Sequence, residues 1–353
     1  MNRNFTLRLK LTTIVLTLGT TLLSSFSGAA QNLDNPGDYM TAFVKARGDM
    51  DAKYMQYMSA AAHGRRARKV EKLRQEVLDN ITNSRYKTTD LPIYKGDNTL
   101  RQSSIDYIQL CYDVFSQDYQ KIVNMEELAE QSVDEMQAYM LLQEKIDDKL
   151  EQGYAALDKV THVFATKYNV LLQTEQTPLS AKLEESGKVN TYSSTVYLIF
   201  FKCNWEDNQM VKAMNAQKVN DAEQARSALL SFANEGLKDL DTIRPFEGDP
   251  ALVNACKQAL TFYKHAAEID MPKLTDFFVK KEEFDKMKKE FDANSNHTQA
   301  DVNAYNKAVK DINNASNAYN QTNNKVNTGR NQAVNGWTSA EKDFQDQHIP
   351  HYK

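Results

Sequence analysis

The sequence contains few residues of the types that bend or cross-link a chain. Among 353 residues there are 12 glycines, 7 prolines and 3 cysteines. Glycine and proline mark turns, so their scarcity argues against an all-β protein built from many short strands. Three cysteines exclude a disulfide scaffold, which would need many more.

The three cysteines are expected to be buried and unreactive. An odd number leaves at least one thiol unpaired within a monomer. Cys203 and Cys256 lie in the same half of the chain, and whether they pair stays open, whereas Cys111 has no partner in its own half. All three stand among apolar residues in helical patterns, which is typical of packed thiols rather than reactive ones.

Long apolar runs are absent after the amino terminus. The first thirty residues combine three basic residues with an apolar run at 11–23, and the small residues Gly28 and Ala30 precede a plausible cleavage before Gln31. This pattern predicts a signal peptide over 1–30 and therefore export to the periplasm or the outer cell surface. No later stretch approaches 18 consecutive apolar residues, so no transmembrane segment is expected in the mature chain.

An excess of positive charge is also absent. The formal net charge is −4, and removal of the three basic residues of the leader would make it −7. A mildly acidic exported chain is not suited to coat nucleic acid or anionic lipid, so no nucleic-acid partner is expected. The one basic run, RRARK at 65–69, is typical of a solvated helix face.

The residues that are plentiful favour helices. Apolar residues recur at intervals of three and four rather than two, which predicts an all-α fold. One apolar stripe extends over 134–171, and a heptad seam with two polar positions extends from Val302 to Val326. Helices of this length need long partners, so elongated bundles are expected.

The chain repeats one of its own segments. LPIYKGDNTL at 91–100 and IRPFEGDPAL at 243–252 are 152 residues apart, and apolar residues stay in register over about fifty residues around them. The repeat predicts two tandem four-helix-bundle-like units that arose by internal duplication. The predicted division is a signal peptide at 1–30, a first bundle at 31–172, a linker at 173–188, a second bundle at 189–346 and a frayed tail at 347–353.

The repeated segment is interpreted as a helix start. Gly96 and Gly248 relax the backbone, and Asp97 and Asp249 are predicted to cap the helices that follow. Pro250 would then occupy the first helical position. A Gly-Asp loop that binds metal or phosphate is the alternative, but no further acids or glycines accompany it.

No established catalytic motif is present. The sequence has no CxxC, HExxH, P-loop or GxSxG pattern, so no enzyme activity, catalytic residue or cofactor is predicted. His265 and Glu268 stand at i and i+3 on one predicted helix and are weak candidates for a metal site. Exported helical proteins of the imelysin type carry a similar His-x-x-Glu, although here no glycine stands two residues before the histidine.

The opening of the second predicted bundle resembles a known family. TYSSTVYLIFFKCNWEDNQMVKAMN at Thr191–Asn215, together with the leader and the tandem helical units, is similar to a family of exported all-helical surface proteins of Gram-negative bacteria. The resemblance implies a place at the cell envelope and no enzymatic role. Its motifs are packing residues, so it implies no site residues.

These observations lead to one functional expectation and one alternative. The expectation is a non-enzymatic cell-envelope or surface protein that acts as a helical scaffold or interaction module for a protein partner. The alternative is a periplasmic protein that binds a metal or a small ligand near His265 and Glu268.

Overall fold

All regular elements in the described part of the chain are helical, which confirms the predicted all-α class. The computed structural model describes residues 33–64, 67–118, 128–172 and 177–353, and no strand occurs in these ranges. The predicted signal peptide at 1–30 lies outside the described residues, as do residues 65–66 of the basic run. The helices are α1 (Pro36–Ala62), α2 (Ala67–Thr89), α3 (Thr99–Asp113), α4 (Val133–Lys167), α5 (Pro178–Asn215), α6 (Val219–Thr242), α7 (Ala251–His265), α8 (Met271–Ala293) and α9 (Gln299–His348).

The described chain forms two compact units. The first comprises residues up to Ser194 together with Asp343–Lys353, and the second comprises Thr195–Lys342. Both boundaries fall inside helices, α5 and α9. These bounds differ from the predicted linker at 173–188 and the predicted second bundle at 189–346.

Helix α5 begins inside the predicted linker because its first turn is capped. Pro178 occupies the first helical position, where its missing N–H costs nothing, so it starts the helix instead of interrupting it. Thr177 Oγ1 accepts a hydrogen bond from the Ser180 backbone N–H at 3.0 Å. Leu183 and Val189 are fully buried, so the helix has an apolar face from its beginning.

Helix α1 supplies much of the core of the first unit. It is apolar on most of its surface, which is typical of a helix that packs between neighbours. Its largest buried side chains include Tyr39, Met50 and Tyr54. The Tyr39 ring lies 4.9 Å from the Tyr94 ring and 5.6 Å from the Phe164 ring, so an aromatic cluster closes one end of this core.

The second unit is built around α5, α7 and α9. The rings of Phe200 and Trp337 stack at 4.7 Å, and both side chains are almost fully buried. Cys256 donates a weak hydrogen bond to the Val196 carbonyl at 3.8 Å. The three cysteines of the chain are all buried and free. Burial raises the pKa of the Cys111 thiol to about 12, which disfavours the reactive thiolate.

Each repeated Gly-Asp segment forms a two-residue turn before a helix. Residues Lys95 and Gly96 have φ angles of 46° and 81°, and the equivalent Glu247 and Gly248 have 50° and 88°. Two successive positive φ angles are those of a tight hairpin turn, and single bridges pair the residues that flank each turn. A positive φ is what glycine tolerates best, which explains its presence at the second position.

The aspartates bond the start of the helix from one position earlier than predicted. The helices begin at Thr99 and Ala251, so Asn98 and Pro250 occupy the N-cap positions. Asp97 Oδ1 accepts from the Thr99 N–H at 3.0 Å, and Asp249 Oδ1 accepts from the Ala251 N–H at 2.8 Å. Each carboxylate therefore satisfies the first free N–H of its helix.

A π-helical turn follows α3 and another follows α7. They span Val114–Asp118 and Ala266–Asp270, within segments that the sequence pattern predicts as ordinary helix. In the second unit the backbone continues directly into α8. The Arg226 guanidinium donates to the carbonyl of Ala267 at 3.0 Å, so a side chain satisfies a backbone acceptor inside the widened turn.

Helices α8 and α9 form an antiparallel hairpin in the second unit. Residues 294–298 connect them, and the rings of Phe291 and Tyr305 stack at 4.2 Å across the hairpin. Further back, the ring of Tyr319 lies 4.7 Å from that of Phe277. The seam residues between Val302 and Asn323 are half-buried, as two helices without a third neighbour would leave them.

Membrane-spanning helices were sought among the described residues. No helix there combines the length and the apolar character that crossing a bilayer requires.

Candidate functional site

The carboxyl-terminal tail is docked on the first unit, whereas the sequence predicts that residues 347–353 are frayed. Ile349 is only 3% exposed. The Tyr352 backbone N–H donates to Ser59 Oγ at 3.0 Å, and the Lys182 ammonium donates to the His351 carbonyl at 3.1 Å. One buried apolar side chain and two hydrogen bonds to other helices are enough to order a segment of this length.

This docking brings two histidines and an aspartate together at the end of α1. Nδ1 of His63 lies 2.9 Å from Oδ1 of Asp346. The ring of His351 stacks on the ring of His63 with centroids 3.6 Å apart and planes inclined by 25°. One ligand-type atom from each of the three side chains lies within 4.8 Å of the other two.

The three side chains differ in their exposure to solvent. The His63 side chain is 7% exposed, and its Nε2 is buried without a hydrogen-bond partner in the described ranges. The Asp346 side chain is 56% exposed, and His351 is exposed. The group therefore consists of one fixed imidazole and two side chains that solvent can reach.

Histidine and carboxylate side chains are ligands for divalent transition metals. Imidazole nitrogens and carboxylate oxygens together bind zinc in many proteins. Within the described residues, this group is also the one set of three or more His, Cys, Asp or Glu side chains close enough to share an ion. The arrangement offers metal-binding chemistry.

The sequence reasoning did not find this group. His63 and Asp346 are 283 residues apart, so no local motif connects them. The pattern Asp346, His348, His351 was visible, but its position in a tail expected to be frayed gave no reason to examine it. His348 lies beside Phe344, with ring centroids 4.5 Å apart.

The structure places the predicted pair His265 and Glu268 at the junction of α7 and the second π-turn. His265 Nε2 lies 3.5 Å from Asp270, and Glu268 lies 3.9 Å from the Lys264 ammonium. Asp270 also pairs with Lys325 at 2.8 Å. With that of Lys273, which lies 3.6 Å from Asp270, three ammonium groups beside these carboxylates oppose the binding of a cation there.

The predicted cap residues precede two different helices, α3 and α7. Gly96 and Asp97 belong to the first unit, and Gly248 and Asp249 belong to the second. The Asp97 carboxylate also accepts from the Lys167 ammonium at 2.6 Å and from Tyr168 Oη at 3.2 Å. The bond from Lys167 and then those from Thr99 hold the pKa of Asp97 well below its usual value.

A second polar group lies inside the first unit, on α1. Arg47 and Asp51 are one helical turn apart and both buried, at 8% and 1% exposure. The Arg47 guanidinium lies 5.9 Å from the centre of the Tyr107 ring. Burial raises the pKa of Asp51 to about 7, and the charge of Arg47 opposes this shift. This group is consistent with a polar element of the core.

No protein-family model, curated protein or solved structure matches this chain.

Proposed function

We propose that this protein is an exported, non-enzymatic helical scaffold of the cell envelope that contacts a protein partner through the hairpin of α8 and α9. The observation that carries the proposal is the length of this hairpin together with the exposed apolar side chains along it. The proposal includes an internal duplication, a partner-binding arm and a cleaved signal peptide.

The duplication is supported by the positions of helix ends. The bounds of α3 and of the first π-turn, shifted by 152 residues, are the bounds of α7 and of the second π-turn. The positive φ angles before these helices recur at the same offset. A π-turn is rare, so its recurrence at one offset supports common descent of the two units.

The aspartates that end the two π-turns form ion pairs with lysines at different distances along the chain. Asp118, the last residue of the first π-turn, pairs with Lys149 on α4 at 3.0 Å. The equivalent Asp270 pairs with Lys325 on α9 at 2.8 Å. The partners are 31 residues apart in the first unit and 55 in the second. The lysine partner on the final helix therefore lies 24 residues further from the π-turn aspartate in the second unit.

Close helix contacts support the same alignment. A Cβ atom at Gly153 would lie 2.2 Å from Cδ2 of Leu110, and one at Gly329 would lie 2.3 Å from Cε2 of Phe262. Leu110 and Phe262 are equivalent at the offset of 152, whereas the two glycines differ by 176. Each unit thus packs its third helix against a glycine of the final helix.

The additional residues lengthen the hairpin of α8 and α9. Twenty-four residues shared by two antiparallel helices add about 18 Å to each at 1.5 Å per residue. Ion pairs at i and i+4 line its outside, among them Lys281 with Asp285 and Lys288 with Asp292. Val279 and Met287 are 45% and 41% exposed. Exposed apolar side chains on a helix that is otherwise rich in charged residues offer surface that another protein can cover.

Site-specific photo-crosslinking in intact cells tests the arm. A photoreactive amino acid at Met287 should give a discrete crosslinked product, identified by mass spectrometry. The same amino acid at Tyr86, which is 61% exposed on α2 of the first unit, is the matched control. Equal products from both positions, or none from Met287, would contradict a partner-binding arm.

The export part of the proposal has a separate test. The amino-terminal sequence of the protein recovered from cells should begin at Gln31. Recovery of a chain that begins at Met1 from the cytoplasmic fraction would remove the cell-envelope assignment and leave the arm to be tested by itself.

A further inference from the structure

We propose that His63, Asp346 and His351 bind one divalent transition-metal ion, with Zn²⁺ as the probe. The ion would fasten the carboxyl-terminal tail to the end of α1. This site is separate from the α8–α9 hairpin, and all three residues belong to the first unit. The inference does not depend on the scaffold proposal.

The donor set fits a borderline metal ion. Two imidazoles and one carboxylate leave the fourth position of a tetrahedral ion to water, as in sites with three protein ligands. Calcium and magnesium prefer sites made of oxygen ligands alone, so two histidines favour zinc or a neighbouring transition metal.

The distances require only small side-chain movements. Zinc–nitrogen and zinc–oxygen bonds of about 2.1 Å place two ligands of one ion at most about 4.2 Å apart. The three ligand-type atoms already lie within 4.8 Å of one another. The 2.9 Å contact between His63 Nδ1 and Asp346 Oδ1 is shorter than this limit, so an ion would replace a hydrogen bond there.

The exposed members of the group are the ones that must adjust. A ring nitrogen binds a metal in the plane of its ring, so two nearly parallel rings cannot both face one ion. His351 is exposed and can tilt away from the stack, whereas His63 is held by its surroundings. One buried ligand, His63, and two solvent-exposed ligands, Asp346 and His351, are compatible with an ion that enters from solvent.

His63 supplies an independent indication that a ligand belongs here. Its side chain is more than nine-tenths buried, and Nε2 has no hydrogen-bond partner in the described ranges. A neutral imidazole has one donor and one acceptor nitrogen, and a buried one that is left unused costs free energy. A metal ion is a ligand that a neutral imidazole nitrogen of such a ring can accept.

The Lys182 ammonium group bonds the tail without bonding the His351 ring. The Lys182 ammonium is engaged by the His351 carbonyl oxygen rather than by a ring nitrogen. Its charge opposes a second cation, whereas the Asp346 carboxylate favours one. The His351 ring is therefore available to a metal while its backbone stays hydrogen-bonded.

Binding to the full-length mature chain tests the proposal. The purified protein is stripped with a chelator, dialysed and titrated with Zn²⁺ in the presence of a chromophoric competitor. We expect one ion per chain. His351→Ala and Asp346→Asn should each weaken binding more than about tenfold, since even outer-shell partners have effects of this size at metal sites. Both residues are solvent-accessible, so these variants should fold normally, as circular dichroism will check.

His265→Ala is the matched control because His265 is an exposed histidine beside an aspartate in the second unit. It should leave Zn²⁺ binding unchanged. Cobalt substitution gives a second readout, since Co²⁺ held by nitrogen and oxygen ligands has ligand-field bands that His351→Ala should abolish. Zinc should also raise the melting temperature of the wild-type chain and not that of His351→Ala.

Three results would overturn the proposal. They are no stoichiometric Zn²⁺ binding by the wild-type chain, binding unchanged in both His351→Ala and Asp346→Asn, and binding lost in His265→Ala alone. The last result would instead place the ion at the sequence-predicted pair. A failure of this proposal leaves the crosslinking result at Met287 unaffected, so the two can be told apart.

Discussion

The two Gly-Asp corners share a backbone and differ in what surrounds it. Both have two successive positive φ angles and an aspartate bonded to the first helical N–H. At the first corner, Asp97 is also bonded by Lys167 and Tyr168, and Tyr94 Oη donates to the Asp34 carbonyl at 2.9 Å. The second corner has Phe246 in place of Tyr94, so that hydroxyl is missing.

The comparison separates the features of a corner that nearby residues determine from those that depend on the surrounding fold. Glycine and aspartate determine the turn and the helix start from within four residues, so both corners form alike. Lys167 is 70 residues from Asp97 in sequence, so its contribution depends on the fold around it. Substitutions at equivalent positions therefore separate the local free energy of the turn from the contribution of its surroundings.

The largest loss of stability is expected from Asp97→Ala. Loss of either cap should lower the free energy of unfolding by about 1 kcal/mol, within the range for such caps. Asp97→Ala also leaves Tyr168 Oη and Lys167 without this acceptor, which should bring its cost to about 2 kcal/mol. Urea unfolding followed by circular dichroism measures both.

Asp97→Asn sharpens this result. The amide oxygen can still accept from the Thr99 N–H, so the turn keeps its cap while the negative charge is lost. We expect a cost between zero and that of Asp97→Ala. A cost of zero for Asp97→Asn would show that the charge of Asp97 beside Lys167 contributes nothing measurable to the first corner.

The next effect is expected to be equal at the two corners. Gly96→Ala and Gly248→Ala place a Cβ on a backbone with positive φ, where nothing lies within 4 Å of it at either position. The cost is then conformational only, about 1–2 kcal/mol in each case. Thermal unfolding of both variants under the same conditions measures it, and a difference above about 1 kcal/mol would indicate unequal turns.

Local patterns explain why much of the fold was predictable. The spacing of apolar residues predicted the all-α class, and the Gly-Asp segments predicted that helices start close to Thr99 and Ala251. The boundary near Pro178 was predicted as a linker because proline usually interrupts helices, yet at the first position it starts one. The π-turns were not predicted because the sequences of Val114–Asp118 and Ala266–Asp270 fit an ordinary helix equally well.

The candidate site was not predictable because its members are far apart in sequence. An ungapped comparison at 152 residues also could not bring out the equivalence that we propose between the final helices, because that equivalence has an offset of 176. His265 and Glu268 were selected by spacing on one helix, which does not report the lysines that other segments place beside them. Contacts of this kind depend on tertiary packing.

A smaller effect is expected from pH. The pKa of Asp97 is lowered in the folded chain, first by its bond from Lys167 and then by its bonds from Thr99, from an ordinary value of 3.8. Its ionised form therefore stabilises the folded state fully above that value, and this contribution is lost as the pH falls below it. The difference in unfolding free energy between wild type and Asp97→Ala should shrink between pH 6 and pH 3, roughly the window in which the unfolded carboxyl becomes protonated.

Gly96→Ala is the control for this pH dependence because it changes no titratable group. Its cost should be the same at both pH values. A cost of Asp97→Ala that stays constant down to pH 3 would mean that the charge of Asp97 contributes nothing and that only its hydrogen-bond geometry matters.

The smallest effect is expected from Lys167→Met, which removes the cation and keeps the rest of the first corner. The Lys167 side chain is 56% exposed, whereas the Asp97 side chain is 7% exposed. Exposed ammonium groups contribute little to stability and are screened by salt, so the loss should be well below that of Asp97→Ala. It should vanish at about 1 M salt, where the Debye length is about 3 Å. Unfolding of the double variant Asp97→Ala/Lys167→Met then measures the coupling between the two side chains directly. If the two costs add, Lys167 acts independently of Asp97. The greater stability assigned to the first corner must then come from Tyr168 and the capping bonds to Thr99.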